Sequence, residues 1–192
     1  MYFEVIPKAT DEYLRAIEEF KINPTEDNPI WHIYYNKEIP SAGSPINFGM
    51  LLNLVSITNT SDPELIWQYI KTYQSEASKE KYPVLDDMIQ SAIVYYEDKI
   101  YPNKKYKLPS DFEKSVLQTL IDTIKTTAPN EELLTAAIYE IGKNSYGTSK
   151  LREFFQMIYE VLMGQISGPR FPVFVLLYGI DNTVSALEEK LK

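Results

Sequence analysis

Residues 164–172 read Gly164-Gln165-Ile166-Ser167-Gly168-Pro169-Arg170-Phe171-Pro172 and lie between two apolar patterns of helical spacing, one before Gly164 and one ending at Gly179. Glycine allows backbone conformations that other residues avoid, and proline fixes φ, so this stretch predicts a shaped connection between two helices. Its arginine has two interpretations. It is a planar cation presented to a phosphate or a base edge, or it is a turn residue that caps carbonyls or pairs with a carboxylate.

Helical patterns recur outward from this stretch along most of the chain. They predict an all-α fold, an irregular multi-helix bundle of about eight helices with short connections. Residues that favour helix ends mark the boundaries. The predicted starts are Thr10 before a helix over 11–20, Ser44-Pro45, Asp62-Pro63, Pro83, the capping box Ser110–Glu113 and Asp181, and the predicted stops are Pro102, Gly142, Gly164 and Gly179.

One segment, residues 21–43, breaks the helical pattern because it is rich in Pro, Asn and Asp. Within it, residues 30–35 read Ile-Trp-His-Ile-Tyr-Tyr, which predicts a short strand or an extended strap. This segment is also the one candidate boundary in the chain. We therefore expect an N-terminal arm over 1–43 and a helical domain over 44–192.

The composition sets broad limits on location and class. The 192 residues include no cysteine, which removes disulfides, thiolate metal sites and cysteine nucleophiles. No apolar run approaches the roughly 20 residues needed to span a bilayer, and the first residues lack the basic-then-apolar pattern of a signal peptide. A cytoplasmic protein with no membrane partner is expected.

The formal net charge is −8, which has the wrong sign for broad, non-specific binding to nucleic acid. It still allows a local basic patch on an otherwise acidic surface. The chain also carries 15 tyrosines, whose rings with polar tips suit half-wet surfaces as well as cores.

Residues suited to catalysis are few. His32 is the only histidine, and we expect it to be half-buried beside Trp31 rather than to act as a base or a metal ligand. The sequence also lacks the glycine-rich phosphate loops GxxxxGK[ST] and GxGxxG. We therefore expect no catalytic, cofactor-binding or metal-binding residue within this chain.

The basic residues are distinctive in position. Residues 102–109, which we call the lysine loop, contain Lys104, Lys105 and Lys107. Tyr106 lies in the same loop and Tyr101 directly before it. A second set near helix ends comprises Lys143, Lys150, Arg152 and Arg170, with Tyr146 among them. Cations for phosphates and rings for unpaired bases are what single-stranded RNA contacts require, although lysine loops are also common as plain solvated surface.

Several blocks resemble, in order along the chain, the C-terminal region of the class I lysyl-tRNA synthetases of bacterial and archaeal type. The Gly164–Gly179 segment is the most distinctive of them. The others are residues 2–8 (YFEVIPK), 28–33 (NPIWHI), 51–56 (LLNLVS), 95–98 (YYED), 139–143 (YEIGK) and 151–155 (LREFF).

The resemblance implies part of an enzyme that joins lysine to its tRNA using ATP, so that ATP belongs to the parent enzyme and no cofactor to this part. The family's catalytic domain, with its HIGH-like and KMSKS-like signatures, would precede Tyr2, and Met1 would not be a native start. This chain would then be the helical anticodon-binding region, or helix cage, together with an arm from its own catalytic domain. On its own it is expected to be inactive.

The tRNA(Lys) anticodon is uridine-rich, and uracil is easily unstacked and offers carbonyl acceptors to cationic donors. The expected RNA-binding residues are therefore Arg170, with Arg152 and Lys143 as neighbours in one patch, and Lys104 and Lys105 as phosphate contacts. The alternative is a helical protein-interaction module with no RNA role, which the acidic balance favours. A free-standing enzyme is a third and weaker possibility.

Overall fold

The computed structural model describes residues 3–35, 37–39 and 43–192. Met1, Tyr2 and part of the 21–43 segment, for which we predicted an irregular conformation, lie outside these ranges. The described residues form ten α-helices and no strand, so the predicted all-α class is confirmed. None of these helices is both long and apolar enough to cross a membrane.

The helices follow one another with short connections. Their bounds are α1 Ile6–Ile22, α2 Pro29–Ile33, α3 Phe48–Thr58, α4 Pro63–Tyr73, α5 Pro83–Tyr95, α6 Asp111–Thr126, α7 Glu131–Tyr146, α8 Leu151–Leu162, α9 Phe171–Tyr178 and α10 Ile180–Leu191. A 3₁₀ turn, Phe3–Val5, precedes α1, and a π-helical turn, Tyr96–Ile100, and a 3₁₀ turn, Tyr101–Asn103, extend α5. Another 3₁₀ turn, Thr148–Lys150, joins α7 to α8.

The core is built around two short helices that are apolar on most sides, α3 and α9, which contact each other. Helices α1 and α5 pack on α3, while α4 and α7 pack on α9. Helix α6 lies between α7 and α10. A helix that is apolar all round must be buried, so these two segments determine the centre of the bundle.

The predicted strap over 30–35 is wrong. Residues 29–33 form helix α2 because Pro29 occupies its first turn and the Asn28 side chain accepts a hydrogen bond from the Ile30 N–H at 2.9 Å. Ile30 is fully buried, so the short helix delivers one apolar side chain to the core.

The predicted start at Ser44-Pro45 is also displaced. Helix α3 begins at Phe48, where Asn47 accepts from the Met50 N–H at 2.7 Å. Asp11 of α1 supplies a second cap, since its carboxylate accepts from the N–H groups of Phe48 at 2.6 Å and Gly49 at 3.2 Å. The first segment is thus fastened to the N-terminus of α3. The division at residue 43 stays a prediction about a longer protein.

Three other predicted ends differ. Helix α1 begins before Thr10, helix α7 continues through Gly142 to Tyr146, and Gly179, not Asp181, occupies the position before α10. In contrast, the predicted capping box at Ser110 and Glu113 is present in both directions, and the starts at Pro63 and Pro83 are confirmed.

Candidate nucleic-acid interface

The connection between α8 and α9 is the glycine-proline loop, residues 163–170. Gly164 has φ +69°, a conformation that favours glycine. Gly168 lies against the ring of Tyr159, where an added Cβ would come within 2.5 Å, and the Tyr159 hydroxyl donates to the Pro169 carbonyl. The stretch is therefore a shaped connection between two helices, as its glycines and prolines predicted.

Arg170 lies at the end of this loop with 70% of its side chain exposed, and its Nη2 is 3.3 Å from the Glu131 Oε1. Glu131 is in the first turn of α7, whereas Lys143 is in the last turn. Twelve residues of helix separate them, or roughly 18 Å along the axis. Arg170 is therefore not a neighbour of Lys143, and the expectation of one patch containing both is wrong because they lie at opposite ends of α7.

Lys143 and Arg152 flank the turn that joins α7 to α8, where the two helices pack closely. Gly142 lies so close to α8 that an added Cβ would be 2.7 Å from the Phe154 ring and 2.9 Å from the Leu151 side chain. Lys143 and Arg152 each follow one of these contact residues in sequence. Both side chains are exposed, and within the described residues neither makes an ion pair.

Two aromatic rings lie one helical turn away from these cations. Tyr139 of α7 and Phe155 of α8 pack with ring centroids 5.0 Å apart. Lys143 follows Tyr139 by four residues and Arg152 precedes Phe155 by three, so each cation shares a helix face with a ring. We call these four residues the hairpin patch. Tyr139 is 38% exposed, so its ring is partly open to solvent.

Tyr146, singled out with these cations in the sequence, is not an open platform. Its ring is partly buried against Phe112 and Phe154, with centroids 5.6 Å and 5.8 Å away. Lys150 is paired with Glu153 at 3.7 Å, which leaves the hairpin patch with the two unpaired cations.

The lysine loop uses its three lysines in different ways. Lys104 is half-buried, and its Nζ donates to the Ser56 carbonyl at 2.7 Å. Burial lowers the pKa of Lys104 to about 8. Lys107 forms ion pairs with Glu113 at 2.6 Å and with Glu160 at 3.9 Å. The Lys105 side chain is exposed and makes no ion pair within the described residues.

Tyrosines surround this loop, and a cation that the sequence did not single out joins them. Tyr101 is 59% and Tyr106 51% exposed, so both reach the surface. Lys190 of α10 lies over the Tyr106 ring with Nζ 4.0 Å from the centroid. No local signal marks Lys190, because its position depends on how the last helix packs.

His32 is more exposed than expected. Its Nε2 donates to the Glu26 carbonyl at 2.8 Å, while the neighbouring Trp31 ring packs on Phe20 and Tyr35. In the part of the chain that the structure describes, no group of three histidine or carboxylate side chains is arranged to hold a metal ion.

Comparison with known proteins finds relatives that match this chain over its whole length. It is 34% identical over 197 residues to a lysine–tRNA ligase of Rickettsia bellii, 36% over 196 residues to one of Roseobacter denitrificans, and 34% over 199 residues to one of Rickettsia prowazekii. Each alignment covers all of this chain but only 37–38% of the relative. No family model matches the chain.

These relatives are aminoacyl-tRNA synthetases, and the described residues of this chain, which match about a third of their length, form an all-helical bundle. Within this class the chain is related over its whole length to part of the lysine–tRNA ligases, which confirms the resemblance drawn from the sequence. The chain spans a little over a third of the length of these relatives.

Proposed function

We propose that this chain is the tRNA-binding part of a lysine–tRNA ligase and that it contacts the anticodon region of tRNA(Lys). The full-length similarity to lysine–tRNA ligases is the observation that carries the proposal. In the complete enzyme the ATP-dependent joining of lysine to tRNA would take place in the portion that this chain does not span. The chain alone would then bind tRNA and catalyse nothing.

The hairpin patch has the chemistry that unpaired RNA requires. Lys143 and Arg152 carry positive charge that no carboxylate of the described residues neutralises, and Tyr139 and Phe155 provide rings one turn away. Bases in a loop can stack on aromatic rings while cations hold the adjacent phosphates. Because the net charge is −8, such local patches, rather than the whole surface, would attract RNA.

Arg170 is a separate proposed contact at the other end of α7. Its pair with Glu131 is exposed, and an exposed pair contributes about 0–1 kcal/mol, so a phosphate or a base edge could replace the carboxylate at little cost. Lys105 is the proposed phosphate contact from the lysine loop.

The enzyme's own catalytic domain is the second proposed partner. Apolar side chains are exposed on the first two helices and just after them: Ile22 is 86%, Ile33 55% and Tyr35 63% exposed. Apolar surface of this kind is typical of an interface with another part of a protein.

The alternative, a protein-interaction module with no RNA role, draws on the same apolar surface and on the acidic charge. It differs in what the basic residues do. If a protein partner binds with unchanged affinity after Lys143 and Arg152 are neutralised, and no tRNA binds at all, the alternative is preferred.

The proposal is tested with two RNA fragments of tRNA(Lys), the anticodon stem-loop and an acceptor-stem minihelix, at one stated salt concentration. We expect this chain to bind the anticodon stem-loop more tightly than the minihelix. Equal binding of the two, or preference for the minihelix, would place the contact elsewhere on the tRNA.

A further inference from the structure

Two surface loops meet at one buried residue of α3. Ser56 is fully buried, and its carbonyl accepts a hydrogen bond from Lys104 Nζ at 2.7 Å. Its hydroxyl oxygen accepts a second bond, from Gln165 Nε2 in the glycine-proline loop, at 2.8 Å. The lysine loop and the glycine-proline loop are therefore both attached to the same position in the core.

A backbone bond joins the two loops directly. The N–H of Lys105 donates to the Gly164 carbonyl at 2.9 Å, and a Cβ at Gly164 would lie 3.2 Å from that same nitrogen. Close approach of the two backbones explains why a glycine stands there.

The Lys104 ammonium is enclosed by aromatic rings. Its Nζ lies 5.3 Å from the centroid of Tyr96, which is buried, and 5.2 Å from that of Tyr106. Lys190 also lies over the Tyr106 ring, with its Nζ 4.0 Å from the centroid. Cation–π contact, the bond to the Ser56 carbonyl and a longer one to the Tyr96 hydroxyl at 3.5 Å thus hold this charge, and among the described residues no carboxylate pairs with it.

These contacts separate two lysines that are adjacent in sequence. Lys104 directs its amino group inward to a buried carbonyl, whereas Lys105 directs its backbone inward and leaves its side chain exposed. A cation held to a core carbonyl is poorly placed to reach a phosphate in solvent.

We propose that Lys104 is a positioning residue that fixes the lysine loop and the glycine-proline loop in one arrangement, and that Lys105 is the residue of the pair that contacts an RNA phosphate. The first half stands on the contacts at Ser56. The second half rests on the proposed tRNA-binding function.

The experiment compares Lys104→Met with the matched control Lys105→Met, which removes the same charge one residue away. Hydrogen exchange is followed in a peptide covering residues 163–170, remote in sequence from both substitutions. We expect exchange there to speed up at least several-fold in Lys104→Met and to stay unchanged in Lys105→Met.

Binding of tRNA(Lys) is then measured over a range of salt concentrations. Losing a phosphate contact makes the negative slope of log K against log salt shallower by about 1, so Lys105→Met should do this. Lys104→Met should weaken binding and leave the slope unchanged. If Lys104→Met does not fold, Lys104→Leu, which also removes both the donor and the charge, replaces it in both measurements.

A Lys104 variant with unchanged exchange over 163–170 would overturn the positioning role. A slope that is shallower by about 1 in that variant, with no change in Lys105→Met, would exchange the two roles. If the unsubstituted chain binds no tRNA, the proposed function and the Lys105 role fail together, while the exchange measurement still decides the role of Lys104.

Discussion

At the scale of single residues, the protonation of Lys104 links the lysine loop to stability. Burial lowers its pKa to about 8, whereas an unfolded lysine titrates near 10.4. Between these pH values the unfolded chain binds a proton that the folded chain does not. Stability therefore rises with pH across this window as far as Lys104 is concerned.

We expect the free energy of unfolding of the unsubstituted chain to rise relative to that of Lys104→Met between pH 8 and pH 10. Urea unfolding of both proteins at pH 7.5, 8.5 and 9.5 measures the difference. Burial raises the pKa of Tyr96 to about 12, but both proteins carry this tyrosine, so its own ionisation cancels when their stabilities are compared. If the difference in free energy of unfolding between the two proteins were the same at all three pH values, the buried position of the Lys104 ammonium would be contradicted.

At the scale of elements, the junction of α7 and α8 depends on a glycine inside a helix. Gly142 is in the interior of α7, where alanine is ordinarily better by about 1 kcal/mol. Here an added methyl group would meet Phe154 at 2.7 Å and Leu151 at 2.9 Å. Close packing of the two helices, rather than helix propensity, determines the residue.

We therefore expect Gly142→Ala to lower the free energy of unfolding by about 1 kcal/mol, because overpacking of about 1–3 kcal/mol exceeds the gain in propensity. The control is Ala136→Gly at an exposed position of the same helix, which should cost about 1 kcal/mol. Denaturant unfolding of the two variants measures both. If Gly142→Ala instead raised the free energy of unfolding while Ala136→Gly lowered it, helix propensity would determine the effect and α8 would be able to move away from α7.

The helix boundaries show which helix ends can be predicted from the sequence. The capping box at Ser110 and the proline starts at Pro63 and Pro83 depend on neighbouring residues alone, and they were predicted correctly. The end of α7 was misplaced at Gly142 because the reason for that glycine lies on another helix. The start of α3 was misplaced for a similar reason, since Asp11 caps it from a distant part of the chain.

At the scale of the whole molecule, an acidic protein binds RNA most readily where cations are left unpaired. Most described lysines and arginines lie beside carboxylates or rings, as Lys79 does beside Glu64 at 2.6 Å. Lys143 and Arg152 lack such partners in the described structure, and they flank the close contact of α7 and α8 at Gly142. Charge is thus concentrated at the hairpin patch without changing the overall sign.

Replacing both residues, Lys143→Gln with Arg152→Gln, should weaken tRNA(Lys) binding and make the negative slope of log K against log salt shallower by about 1.5–2. The matched control, Lys79→Gln with Lys81→Gln, removes the same charge from lysines paired with Glu64 and Glu76. We expect it to change the slope far less. Equal slopes in the two double variants would mean that net charge, not the patch, attracts the RNA.

Parts of the site formed by residues close together in sequence could be predicted, and parts formed by residues far apart could not. Lys143 and Arg152 flank a short turn, so their proximity follows from local sequence. Arg170 pairs with Glu131 at the far end of α7, and Lys190 reaches Tyr106 from the last helix. Both positions depend on tertiary packing, which residue spacing does not encode.

The proposed recognition of the tRNA(Lys) anticodon by this chain is tested by binding two full-length transcripts at fixed salt. One is tRNA(Lys), and the other is identical except for a changed anticodon. We predict weaker binding of the altered transcript by at least tenfold, which corresponds to about 1.4 kcal/mol and to the loss of one well-made base contact. Equal affinity for the two transcripts would contradict the claim.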